Sequence, residues 1–304
     1  MTRRPALGYA MVLTAAALWA LNGVVSKVIL QSGGVTSERL TEVRATGAFL
    51  LLFAVLLVWR RSTLRVTRGE LPFLAVFGVA GLAFVAWFYF VAIERLEIGI
   101  ALLIQYVAPV LVALYARYVL HEPVRRRIWA ALALAIAGLA LLLQLWQGLV
   151  LDGIGVLASI GAAVTFALYI LMADRGIRRR TSSSLLAYGF LFAALFWAVV
   201  QPWTSFPWDL LDDSVSLLGR LESIELPVWL LMAWMVVLGT IVPFGLLVGA
   251  LRHVSPTRAG ILAMFEPVAG TVMAYAWLRE ELDPIQLVGA AVVLCGIGLA
   301  QTAR

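Results

Sequence analysis

The stretch around Pro109 superimposes on the stretch around Pro267 without a gap, so that Glu122 falls on Glu280 and Gly138 on Gly296, each pair 158 positions apart. The two halves also begin alike. Gly8, Ala16, Trp19, Ala20 and Leu21 answer to Gly155, Ala163, Phe166, Ala167 and Leu168, now 147 positions apart. Two copies of one unit constrain the fold because each copy holds five apolar runs of about twenty residues, long enough to cross ~30 Å of hydrocarbon as helices. An odd number of crossings forces the second copy to insert upside down, a construction that gives one central site access to both sides of a membrane.

The apolar share of 63% and mean hydropathy of +0.98 exceed the roughly 45–50% apolar content of soluble domains. No segment alternates as a barrel strand would. The expectation is an all-α integral membrane protein of ten transmembrane helices in two inverted five-helix repeats, 1–147 and 148–304. The runs lie near 6–28, 37–59, 71–93, 97–119 and 127–147, then 153–173, 183–202, 227–250, 256–278 and 284–303. The first is too long for a signal peptide and lacks a cleavage site, so it is expected to remain as a span.

Charge sets the sidedness, because Lys and Arg near span ends stay in the cytoplasm. With both termini inside, the cytoplasmic segments hold sixteen of the 23 basic residues, including those of "RRSTLRVTR", "VRRR" and "RGIRRR". Lys27, Arg39, Arg95, Arg220 and Arg279 face out, and most acids join them. The net charge of +6 is therefore a topology and lipid-headgroup signal, not a nucleic-acid one. Segment 203–226, where leucines recur among acids in near-helical spacing, reads as an extracytoplasmic helix lying on the membrane surface, a plain connector or a lid over an exit path. Cys295, the single cysteine, offers no disulfide or metal cluster and reads as a packing residue.

The segments "AALWALNGVVSKVIL", "EVRATGAFLLL", "FYFVAIERLEIGIALLIQYVAPVLVALYARYVLHEP" and "TIVPFGLLVGALRHVSPTRAGILAMFEPVAGTVMAYAWLREEL" together resemble the EamA-type family of the drug/metabolite transporter superfamily. The resemblance spans nearly the whole chain. Its most specific part is a mid-span Pro followed thirteen residues later by Glu and sixteen further on by Gly, occurring twice. It implies a ten-helix exporter of small metabolites in a bacterial inner membrane, with the substrate left open.

Candidate site residues follow from helical periodicity. Pro109 and Pro267 fall halfway along the fourth and ninth spans, where each clashes with the carbonyl four residues back and should kink its helix. Leu102, Gln105, Tyr106 and Pro109 share one helix face, as do Trp19, Asn22 and Ser26, and Thr165 and Tyr169. Polar groups in hydrocarbon need partners, so these faces either line a wet cavity or bond between helices. Trp19, Asn22, Gln105, Tyr106, Thr165 and Tyr169 are the expected substrate-binding set. Trp87, Phe88, Tyr89 and Phe90 fit a cavity or an interfacial aromatic belt equally well.

Glu266 lies ten residues into its span, near the bilayer middle, where a carboxylate is costly. Two readings stand: a proton-coupling or substrate-amine site, or a structural partner for Arg44. Arg44 in turn is read as an anchor for a substrate carboxylate or a partner of Glu42 or Glu266. Glu122 and Glu280 read as a gate or as caps for the helices that follow them, capping being preferred. Gly78, Gly81, Gly138, Gly289, Gly296 and Gly298 read as points of close helix approach.

The expected partners are a small organic molecule, the bilayer and, through Glu266, protons. A cavity with Glu266 at one end and Arg44 at the other would suit an amino acid; nucleosides, nucleobases and cationic drugs stay open. An enzyme is disfavoured, since His121 and His253 lie in loops of different repeats and no GxSxG or HExxH occurs. No metal or cofactor motif is present, no P-loop would supply ATP, and no loop is large enough for a sensory domain.

Overall fold

The computed structural model describes residues 4–31, 35–96, 98–146, 152–279 and 281–302. Fourteen helices are described: α1 (Pro5–Gln31), α2 (Ser37–Trp59), α3 (Leu71–Gly78), α4 (Phe84–Arg95), α5 (Ile98–Gln105), α6 (Ala108–Tyr118), α7 (Arg126–Leu142), α8 (Gly153–Ile177), α9 (Ser182–Val200), α10 (Val228–Val236), α11 (Val242–Ala250), α12 (Pro256–Ala263), α13 (Phe265–Leu278) and α14 (Pro284–Thr302). Among the described residues these combine into nine apolar crossings of 19 to 26 residues, with α7, at 17 residues, in the place of the fifth. The protein is an all-α membrane protein. Its outer surface is apolar, with Val199 82% and Leu157 70% exposed, as lipid-facing residues are.

Two crossings per half are not regular helices, and their irregularities coincide under the repeat. The third crossing winds as a π turn over Val79–Ala83 between α3 and α4. The eighth does so over Val237–Ile241 between α10 and α11, again 158 positions on. Such turns carry one extra residue and recur at functional sites. The fourth crossing breaks at Tyr106 and Val107, between α5 and α6, and the ninth at Met264, between α12 and α13. The expected kinks at Pro109 and Pro267 are therefore breaks. Each proline sits in the first turn of the helix after the gap, where its missing N–H costs nothing, and α5 and α12 end at Gln105 and Ala263, the carbonyls that the prolines would meet.

The loops sort to two ends as the charge count divides them. At one end the Arg180 side chain, 7% exposed, pairs with Glu70 at 3.2 Å and donates to the carbonyls of Thr63 at 3.0 Å and Arg65 at 3.1 Å. At the other end Arg279 meets Glu222 at 3.7 Å, Arg95 meets Asp152 at 3.8 Å, and Gln144 donates to Asp283 at 2.6 Å. Glycines seat α14 on α7: a methyl at Gly138 would come within 2.6 Å of the Val293 backbone nitrogen, and one at Gly296 within 2.9 Å of the Ala131 carbonyl. Close backbone approach of this kind is what holds helices together in lipid.

Four expectations are corrected. Segment 203–226 is not a surface helix; it is a set of short 3₁₀ turns around an antiparallel pair, β1 (Ser214–Ser216) and β2 (Glu225–Pro227), because Pro202, Pro207 and Gly219 interrupt the leucine spacing. Arg39 is buried, bonding Glu42 at 2.6 Å and Ser205 at 2.6 Å, which removes Glu42 as a partner for Arg44. Cys295 is exposed on the apolar surface, not packed. Gly298 has open space around it. Glu280 lies outside the described residues.

Candidate functional site

The broken and π-wound crossings surround one cavity of about 600 Å³. Of Arg44, Glu266, Pro109, Pro267 and the six residues of the expected substrate-binding set, eight line it: Trp19, Asn22, Arg44, Gln105, Tyr106, Tyr169, Glu266 and Pro267. Pro109 packs away from it, against Gly260. Thr165 is also absent from the wall, because its hydroxyl bonds back to the Gly161 carbonyl at 2.8 Å, the usual escape of a threonine inside a helix. Of the four aromatics in the third crossing, Tyr89 and Phe90 reach the cavity, while Trp87 and Phe88 stack on each other with centroids 5.9 Å apart.

One side of the cavity is sealed by rings. Phe244 meets Trp19 edge-on at 5.1 Å, Tyr169 at 5.5 Å and Phe190 at 5.6 Å, and Tyr169 stacks on Phe166 at 6.2 Å. Beyond that floor lie fully buried small and aliphatic residues, among them Val12, Ala15, Leu247 and Val248. In the other direction the lining reaches Lys27, Leu30, Leu143 and Leu278, at the ends of α1, α7 and α13. The cavity thus runs from the helix breaks toward the face that carries 203–226.

Two opposite charges stand on its wall without pairing. The Glu266 carboxylate, one residue before Pro267, accepts from the Tyr106 hydroxyl at 2.6 Å, so a residue at one helix break holds a residue at the repeat-related break. Arg44 donates from Nε to Thr240 Oγ1 at 3.1 Å. No ion pair within 4.0 Å joins Arg44 to Glu266, although each lies within electrostatic reach of the other. Four further polar atoms of wall residues, Asn22 Oδ1, Gln105 Oε1, the Tyr169 hydroxyl and Trp197 Nε1, are buried without a hydrogen-bond partner among the described residues. Unpaired buried polar atoms are few in folded proteins, and four around one cavity mark unused binding capacity.

Trp197, Thr240, Phe244 and Thr271 also line the cavity and were missed by sequence reasoning. Phe190, Ala193 and Trp197 follow the same i, i+3, i+7 rule as the faces that were found. Thr240 carried no signal of its own, since a single threonine in an apolar span reads as packing.

The description "EamA-like transporter family" matches this chain twice, over residues 6–144 and 153–302. An uncharacterised transporter of Archaeoglobus fulgidus is 30% identical over 280 residues, covering 92% of each chain. The threonine/homoserine exporter RhtA of Escherichia coli K12 is 29% identical over 280 residues, 89% of this chain and 82% of that one. A solved crystal structure aligns with a TM-score of 0.77 at 21% identity, over 98% of this chain and 97% of that one, which speaks for the fold.

Proposed function

Because this chain belongs to the EamA-like transporter family, we propose that it exports a small amino acid from the cytoplasm of a bacterial cell by exposing one central cavity to each side of the membrane in turn. The observation that carries this is the separate placement of Arg44 and Glu266 on one wall of about 600 Å³. A guanidinium is shaped to grip a carboxylate, and a carboxylate held by a tyrosine can receive an ammonium. A zwitterion satisfies both charges at once, whereas a neutral nucleobase would satisfy neither and a cationic drug would be opposed by Arg44. Threonine and homoserine, which the relative RhtA is named as exporting, are zwitterions of this kind.

With the basic loops in the cytoplasm, the aromatic floor closes the inner side and the cavity opens outward. The repeat then supplies the return stroke: the π turns and breaks of one half adopt the arrangement of the other, and the floor opens inward. Glu266 is the residue that would carry a proton on the empty return.

Counterflow into proteoliposomes tests the reading. Vesicles loaded with unlabelled threonine should take up labelled threonine and homoserine, and compounds lacking either the amine or the carboxylate should bind more weakly and exchange far more slowly. Exchange of a nucleoside with no exchange of any zwitterion would replace this function with the other metabolite class.

A further inference from the structure

The eighth crossing supplies a side chain that no motif announced. A threonine inside a helix usually returns its hydroxyl to a carbonyl three or four residues back. Thr240 returns it to the carbonyl of Met235, five residues back, at 3.0 Å, because the chain between them winds as the π turn Val237–Ile241. A hydroxyl has one proton. With that proton given to Met235, the Thr240 oxygen presents a lone pair, and Arg44 Nε donates to it at 3.1 Å. Thr240 is itself 1% exposed, so solvent does not compete for either bond.

Fixing Nε fixes the plane of the guanidinium, since the group is flat and rigid. The two terminal nitrogens of Arg44 have no hydrogen-bond partner among the described residues, and Arg44 lines the cavity. We infer that Thr240 is a positioning residue: the π turn of the eighth crossing and its hydroxyl hold Arg44 so that its terminal edge faces the cavity as a two-pronged site for the substrate carboxylate. The inference rests on the amino-acid reading above and adds to it the device that orients the anion site. The other π turn lacks this device. Its residue at the position of Thr240 is Leu82, which has no hydroxyl, so the repeat supplies the bend twice and the oriented arginine once.

The experiment compares binding of L-threonine with binding of its amino alcohol, in which a hydroxymethyl group replaces the carboxylate, to purified full-length protein. Thr240→Val should weaken threonine by roughly ten- to a hundredfold, the range for a lost charged hydrogen bond, and leave the amino alcohol at its wild-type affinity. Thr240→Ser, which keeps the hydroxyl, should restore threonine binding. Should Thr240→Val not fold, Thr240→Ala makes the same comparison without a second branched methyl. An equal loss for both ligands, or no loss for threonine, overturns the positioning role and leaves the amino-acid reading standing. Failure of the wild-type protein to bind threonine or any other zwitterion overturns both.

Discussion

Asn22 lies so close to Gly239 that a methyl group on the glycine would overlap the carboxamide of the asparagine. The repeat places Tyr169 at the position of Asn22 and Gly81 at that of Gly239, each glycine central in a π turn. There a methyl on Gly81 would meet only ordinary contact, 3.4 Å from Tyr169 Cα and 3.5 Å from its Cβ. The first helix of each half therefore rides on the π turn of the other half, tightly at one junction and loosely at its mate. Exchange of conformations between the halves would exchange tight for loose. Gly81→Ala should thus fold and keep the outward-facing state while arresting turnover, and Gly239→Ala should disfavour that state. Thiol labelling from each side at a cysteine in place of Gln105, in a Cys295→Ala background, would report the shift. Wild-type turnover by Gly81→Ala rejects the exchange.

Folding should depend on a different glycine. A methyl at Gly78 would strike the Gly189 carbonyl and come within 2.7 Å of Phe192 Cβ, where α3 packs on α9 and neither backbone has room to give. Gly78→Ala should cost about 1–3 kcal/mol, the usual penalty for overpacking, and appear as a lower melting temperature and folded yield. Gly298→Ala, with nothing within 4 Å, should melt within error of wild type.

These two glycines show where sequence reasoning stops. Repeat offsets and helical period led to the apolar runs and to the faces of Trp19, Asn22, Gln105 and Tyr106, which meet at the cavity, because each is a property of spacing along a helix. The π turns were invisible, since one extra residue in a turn leaves an apolar run apolar. Partner choice was invisible for the same reason: Arg39 and Arg44 are both arginines near the start of α2, and only the fold brings Ser205 to one and Thr240 to the other. Thr165 satisfied the period rule and still turned to its own backbone, since periodicity assigns a face and not a rotamer.

Coupling has its own test. If Glu266 carries the proton, Glu266→Gln should abolish stimulation of transport by a pH gradient and preserve exchange of substrate for substrate, which needs no empty return. The amide can still accept from Tyr106, so the 2.6 Å contact need not be lost with the charge. Unchanged gradient stimulation would exclude Glu266 as the proton site, and loss of folding in this variant alone would favour a structural role.

Sidedness is read from two loops. Ser216 lies in β1, at the end where Arg279 meets Glu222, and Ser183 lies at the start of α9, beside the Arg180 cluster. In a Cys295→Ala background, a cysteine at Ser216 should react with a membrane-impermeant maleimide in intact cells, and one at Ser183 only after lysis. The reverse pattern would invert the topology and with it the direction in which the present cavity opens.

The binding wall has its own test. Gln105 and Tyr169 come from different halves of the chain, yet both line the cavity, and each holds a buried polar atom without a partner. Tyr169 also braces the floor by stacking between Phe77 at 5.7 Å and Phe166 at 6.2 Å. Removing a side chain that bonds or stacks on the substrate typically loses about 1–3 kcal/mol, or roughly ten- to a hundredfold in affinity. Gln105→Ala and Tyr169→Ala should weaken threonine binding by that factor, with Gln105→Ala leaving the melting temperature unchanged. Saturating threonine should also protect cysteines at positions 22, 105 and 169 from alkylation. Equal alkylation with and without threonine would remove these faces from the binding site, and the cavity would then serve as a passage whose selective contacts lie elsewhere on the wall.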